Sequence, residues 1–155
     1  MKRWSFNLQI FFLHKRFKIH QKMSASLTSV IQDRTIYEDV EIFARNLYHL
    51  GKLSQRDRDN YCSLFKVMDS YLERPDLIIY LKGDTDTLLI RIKKRNRDYE
   101  NSIDPEYAHT LNISYDRWIE SISDQPVMKI ETNYFNIFED SKVFNDIQKD
   151  ILKRL

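Results

Sequence analysis

The chain has 155 residues, 42% hydrophobic and 31% charged, enough for one domain (1–155) with a buried core. A net charge of +2 is too balanced to call for nucleic acid or a membrane as partner, so any electropositive function must come from local clustering. One cysteine, Cys62, excludes an internal disulfide and fits a reducing, cytoplasmic setting; its plain reading is a small helix-face residue.

The opening "MKRWSFNLQIFFLHKRF" has a basic start and an apolar run, but Asn7 and Gln9 interrupt the run and no small-residue cleavage site follows. No stretch approaches the ~18–20 apolar residues that span a bilayer. From Lys2 to about His20 the apolar residues Phe6, Ile10, Leu13 and Phe17 recur at helical spacing. Gln9 and Arg16, seven apart, share nearly one face with Phe12 and Leu13. Such a polar pair could read the edge of a planar base while the rings pack on it, or it could simply snorkel from a core helix.

After a polar connector, Ser29–Gln32 reads as a short strand, followed at once by Asp33, Arg34 and Thr35. A helix is expected over Glu38–Leu50, on Val40, Phe43, Leu47 and Leu50, with Gly51 as its stop. Ligands of open α/β sheets bind where strands give way to helices. There, Asp33 could hold a magnesium shell, Arg34 a phosphate or reacting hydroxyl, Asp39 a base edge and Phe43 a base face. A helix cap with an Arg–Asp ion pair is the plainer alternative.

Ser54, with Asp57 three residues on, opens a helix carrying Tyr61, Leu64, Phe65, Met68 and Leu72, and Pro75 ends it. "DLIIYL" (Asp76–Leu81) has the continuous apolar pattern of a strand buried on both faces. Asp84 or Thr85 caps the next helix, which runs into "RIKKRNRDYE". Arg91 and Arg95 share a face, Lys94 flanks them and Arg97 follows. Guanidinium forks match phosphate oxygens, although a solvated basic face also explains such a run. Helices over Pro105–Ile122 and Lys142–Leu155 bracket a last strand, Val127–Glu131. Three apolar strands separated by helices imply an α/β fold with a parallel sheet.

Taken in order, these stretches resemble the deoxynucleoside kinase family, most closely its bacterial deoxyadenosine/deoxyguanosine kinase branch. "RWSFNLQIFFLHKRF" is similar to the substrate helix, "QDRTIYED" to the Asp/Glu-Arg-Ser signature with Asp33 and Thr35 as variants, and "RIKKRNRDYE" to the mobile lid. The resemblance implies that Gln9, Arg16 and Asp39 read the base and Phe43 stacks on it. It implies that Asp33, Arg34 and Arg97 serve catalysis, Asp33 meeting Mg2+ indirectly. Arg91, Arg95 and Arg97 would bind phosphate, and Glu100 the sugar 3′-hydroxyl.

The implied fold is a three-layer P-loop-kinase-like sheet flanked by helices. The implied reaction is ATP-dependent phosphorylation of a deoxynucleoside 5′-hydroxyl, with a purine nucleoside as the expected substrate, in salvage, by an enzyme that is commonly a homodimer. Family members begin with a strand and a Walker A loop, and no Gly-x4-Gly-Lys-Ser/Thr occurs in this sequence. Met1 thus resembles an internal family position. The expected sheet is incomplete, lacking the strand between Ser29–Gln32 and Asp76–Leu81, and the chain alone is expected to be inactive. A thymidylate-kinase-like nucleotide kinase, or a non-catalytic nucleoside-binding or dimerising fragment, are the alternatives.

Overall fold

The computed structural model describes residues 4–100 and 102–155; the helix start expected at Lys2 lies outside them. The chain, read from its length as one domain, forms two compact units, Met1–Glu73 and Arg74–Leu155.

The first unit is helical. Helix α1 spans Ser5–Ser24, running a turn beyond the expected end because Gln21, Lys22 and Met23 continue it. Its most deeply buried line is Ser5, Gln9, Leu13 and His20, so polar groups sit where an ordinary core helix would place apolar ones. The next helix starts earlier than expected, as α2 (Ile36–Glu38), passes through a π-helical segment (Asp39–Ala44) and ends as α3 (Arg45–His49). Thr35 and Glu38 form a capping box that fixes this start: the Thr35 hydroxyl accepts from the Tyr37 amide at 3.2 Å, and the Glu38 carboxylate accepts from the Thr35 amide at 2.7 Å. The wider π turn slides the buried stripe, so Ile42, Ala44 and Asn46 are buried while Phe43 and Leu47 are only half-buried and Leu50 is exposed. Gly51, at φ +63°, adopts the left-handed conformation that stops the helix, as expected. Helix α4 (Gln55–Asp69) begins at Ser54, whose hydroxyl accepts from the Asp57 amide at 3.1 Å.

Ser29–Gln32 is not a strand. A strand is defined by its ladder, none of the described residues pairs with this segment, and Ile31 is 95% exposed.

In the second unit β1 (Ile78–Lys82) and β2 (Val127–Glu131) form a two-stranded parallel sheet, in register from Ile78–Val127 to Lys82–Glu131. The connection runs through α5 (Thr85–Arg95) and α6 (Pro105–Ser121), a crossover of the kind that parallel strands require. Helix α7 (Ser141–Arg154) follows, begun by Asp140 accepting from the Val143 amide at 3.0 Å. Met128, Ile130 and Ile119 form the buried centre of this unit. Strand β1 is not buried on both faces: Ile79 and Leu81 are exposed, because β2 is its only ladder neighbour among the described residues. The architecture is nonetheless the expected α/β one, a parallel sheet with helical crossovers.

Candidate functional site

Asp39, at the head of the π-helical segment, organises the first unit. It is 0% exposed, yet it carries a carboxylate. Arg16 Nη1 donates to its Oδ2 at 2.7 Å, and Arg34 Nη2 donates to its Oδ1 at 3.1 Å. Burial pushes the Asp39 carboxyl above its ordinary range, and the two guanidiniums pull against that rise. Arg34 is the unusual partner. Its backbone sits at φ +58°, a conformation that costs a non-glycine residue about 1–2 kcal/mol, and its guanidinium lies 3.6 Å from the Phe43 ring centroid. The clamp on Asp39 and the stack on Phe43 hold it there.

Gln9 is 5% exposed on the same helix as Arg16, and its Oε1 has no hydrogen-bond partner among the described residues. The Arg34 Nε and the Tyr61 hydroxyl are in the same condition. Arg16 also lies over the Phe12 ring, 5.3 Å from its centroid. Between α1 and residues 32–34 a cleft of about 320 Å3 opens, lined by Phe11, Phe12, Lys15, Arg16, Ile19, Gln32, Asp33 and Arg34. Its walls are aromatic and aliphatic and its edge carries guanidiniums, a combination suited to a planar polar ring.

Of the expected residues in this unit, Arg16, Arg34, Asp39 and Phe43 form one connected group, and Gln9 lies on the buried face of α1. Asp33 stands apart, exposed at the cleft rim. No group of three or more His, Cys, Asp or Glu side chains gathers as a metal site among the described residues. Glu38 is committed to its cap.

The second unit carries the residues expected in a lid. Glu100, following Asn96 in the left-handed C-cap of α5, accepts from Arg95 Nε at 2.9 Å and Nη2 at 2.7 Å, with Arg97 Nη1 at 3.6 Å. The Glu100 side chain is 11% exposed, while those of Arg95 and Arg97 are about half exposed. Arg91 does not join this cluster. Its Nη1 donates to Thr132 Oγ1 at 2.9 Å and its Nη2 to the carbonyl oxygens of Thr132 and Phe135, tying α5 to the chain that leaves β2. Lys94 is exposed. The sequence reading missed Tyr61 as a buried polar group and Thr35–Glu38 as a capping box. The T-x-x-E pattern was signal enough for the second; the first was hidden in an apolar stripe.

A buried carboxylate is clamped by two arginines, one of them stacked on an aromatic ring, on a chain that also carries an arginine-rich segment. The sequence model of the family described as Deoxynucleoside kinase matches residues 1–155, and the chain belongs to that family. It is 36% identical over 152 residues to the deoxyadenosine/deoxycytidine kinase of Bacillus subtilis, covering 97% of this chain and 70% of that protein. It is 40% identical over 135 residues to the deoxyadenosine kinase of Dictyostelium discoideum, covering 86% of this chain but only 55% of that one. Among solved structures, deoxyadenosine kinase from M. mycoides with products dCMP and a flexible dCDP bound superposes with a TM-score of 0.80 at 31% identity, over 100% of this chain and 77% of that one. The same kinase with bound dATP gives 0.78 at 32% identity, over 95% of this chain and 76% of that one.

Proposed function

We propose that the chain binds a deoxynucleoside, with preference for purines, and carries the base-reading and lid residues of an ATP-dependent kinase that phosphorylates the 5′-hydroxyl to the monophosphate in cytoplasmic nucleotide salvage. The observation that carries this reading is Asp39, fully buried between Arg16 and Arg34 with the uncommitted Gln9 amide oxygen on the neighbouring helix. Relatives named for deoxyadenosine, deoxycytidine and deoxyguanosine supply the substrate class.

In this scheme Gln9, Arg16 and Asp39 read the base edge and Phe43 takes the base face. For the base to reach Phe43, the Arg34 guanidinium must leave it, giving up a cation–π contact of about 0.5–2 kcal/mol. The freed guanidinium is then available to a phosphate or the reacting hydroxyl. Phosphoryl transfer depends on positioning and on charges aimed at the transferred group, the role given to Arg95 and Arg97 and, once released from Thr132, to Arg91. Glu100 accepts from the sugar 3′-hydroxyl, which requires it to release Arg95. ATP brings Mg2+ as its counter-ion, with Asp33 reached through water. No nucleic acid or membrane enters the scheme.

The 155 residues contain no Gly-x4-Gly-Lys-Ser/Thr phosphate loop, so this polypeptide by itself is proposed to bind without turnover. Trp4, Leu8, Phe11 and Ile19 leave an exposed apolar line along α1, which favours a homodimer that sedimentation would detect. The central test is calorimetric titration with deoxyadenosine, alongside a chromatographic assay for monophosphate with ATP and Mg2+. Saturable binding that Arg16→Ala abolishes, without monophosphate, is the expected result. Binding indifferent to Arg16→Ala would overturn the site, and monophosphate formation would overturn the proposed inactivity.

A further inference from the structure

The two guanidiniums on Asp39 are secured in parallel ways. Each donates to the carboxylate and lies over a phenyl ring, Arg16 at 5.3 Å from the Phe12 centroid and Arg34 at 3.6 Å from that of Phe43. The two halves are not equally firm. Arg34 stands on a left-handed backbone, at φ +58°, its side chain is 36% exposed, and its buried Nε has no hydrogen-bond partner among the described residues. Arg16 rises from the regular helix α1, its side chain is 16% exposed, and its bond to Asp39 is the shorter, 2.7 Å against 3.1 Å. Arg34 is the half that can leave, and Arg16 the half that stays.

The sequence of α1 shows what keeps Arg16 there. Phe12 precedes it by four residues, so the two share a helix face, and a long helical side chain leans back over the turn before it. The negative face of a phenyl ring attracts a cation within about 6 Å of its centre. Phe12, Arg16 and Arg34 all line the cleft, so a ligand entering it meets this arrangement directly. Once a base takes the face of Phe43 and Arg34 withdraws, Arg16 is the one guanidinium of the two left on a carboxylate that is fully buried. A buried charge depends on the partner that remains. Any apolar side chain could fill the space of Phe12, but only an aromatic one offers the guanidinium a negative face.

We propose that Phe12 is a positioning residue for base reading: its ring holds the Arg16 guanidinium on Asp39 while Arg34 is displaced, through the charge of its face rather than its bulk. This rests on the deoxynucleoside reading above and deepens it by one residue that makes no hydrogen bond from its own side chain.

The test places phenylalanines with one, two and three ring fluorines at position 12 of the 155-residue chain, and measures the deoxyadenosine Kd by calorimetric titration. Fluorine drains negative charge from the ring face and leaves the ring's shape nearly unchanged. The Kd should therefore rise stepwise, to about fivefold for the trifluorinated ring. Phe12→Leu, which removes the face, should weaken binding at least as much, and Phe12→Tyr, which keeps it, should bind like the parent. A flat fluorine series would overturn the proposal, because packing alone would then account for the ring. Tighter binding along the series would overturn it as well, by showing the base itself stacked on Phe12. In both cases the deoxynucleoside site stands as long as Arg16→Ala fails to bind. A parent chain that binds no deoxynucleoside would overturn both readings.

Discussion

Replacing Arg16 by alanine removes the nearer of the two guanidiniums on Asp39, the one at 2.7 Å. Deleting one partner of a buried ion pair generally costs about 3–5 kcal/mol, because the other charge is left without compensation. Here Arg34 still reaches the carboxylate at 3.1 Å from a side chain that is 36% exposed, so the expected loss is smaller, about 2–3 kcal/mol near neutral pH. The loss should also depend on pH. The folded-state pKa of Asp39 is raised, so the stability linked to its protonated form is present at low pH and fades as pH rises through the folded value. Removing Arg16 takes away a force that lowers that pKa, so the fade begins at the same unfolded-state value but extends to higher pH and runs deeper in the variant. The gap between parent and variant, measured by urea denaturation of the 155-residue chain, should be small at about pH 4 and grow towards about pH 8. A gap that is constant with pH, or below ~1 kcal/mol at the upper end, would refute the picture of a buried charge held by two guanidiniums.

Thr35→Ala should cost about 1 kcal/mol by dissolving the capping box, read as a shift in urea midpoint at constant slope, whereas Thr35→Ser should be nearly neutral. Arg34→Gly should be more stable than Arg34→Ala by about 1 kcal/mol, because both lose the side chain but only glycine relaxes the left-handed backbone; equal denaturation midpoints would count against strain at that residue. In ATP titrations followed by nuclear magnetic resonance, Arg95→Ala should weaken binding about tenfold and Lys94→Ala less than about twofold, since one guanidinium is placed and the other cation is solvated. Equal losses would mean a diffuse positive patch.

Sequence periodicity located most helices and both strands because caps and breakers are local: Ser54, Pro105 and Gly51 each act where they stand. Ser29–Gln32 misled because a strand needs a neighbour as well as an apolar run, and pairing is not a local property. The Asp39 cluster was legible as a set of residue types, and the plainer expectation of a cap with an Arg–Asp ion pair is also met there, by Thr35 and by Arg34 with Asp39. Its depth was not legible, since nothing in "QDRTIYED" says that Asp39 is buried while Asp33 is exposed. Arg91 shows the limit of spacing arguments. It shares a helix face with Arg95, but the carbonyl oxygens beyond β2 capture it.

The π-helical turn makes the site sensitive to chain length as well as to side chains. Asp39–Ala44 holds one residue more than an α-helical turn would need, and Asp39 and Phe43 both lie within it. Deleting a single residue there would let the helix relax to the α form with everything after it facing much as before, because the wider turn is what absorbs the extra residue. Ala44 and Asn46 would stay on the core side, but a deletion between Asp39 and Phe43 would shorten the separation of those two and shift Phe43 against Arg34 even with every side chain of the site retained. Elsewhere in the first unit a one-residue change in a loop, such as 25–28, would be absorbed without touching the site. Within the helix, then, a single-residue deletion in the π-helical segment should leave the fold of the first unit standing and weaken only the site, a pattern that a deletion scan read by both melting and ligand binding would reveal.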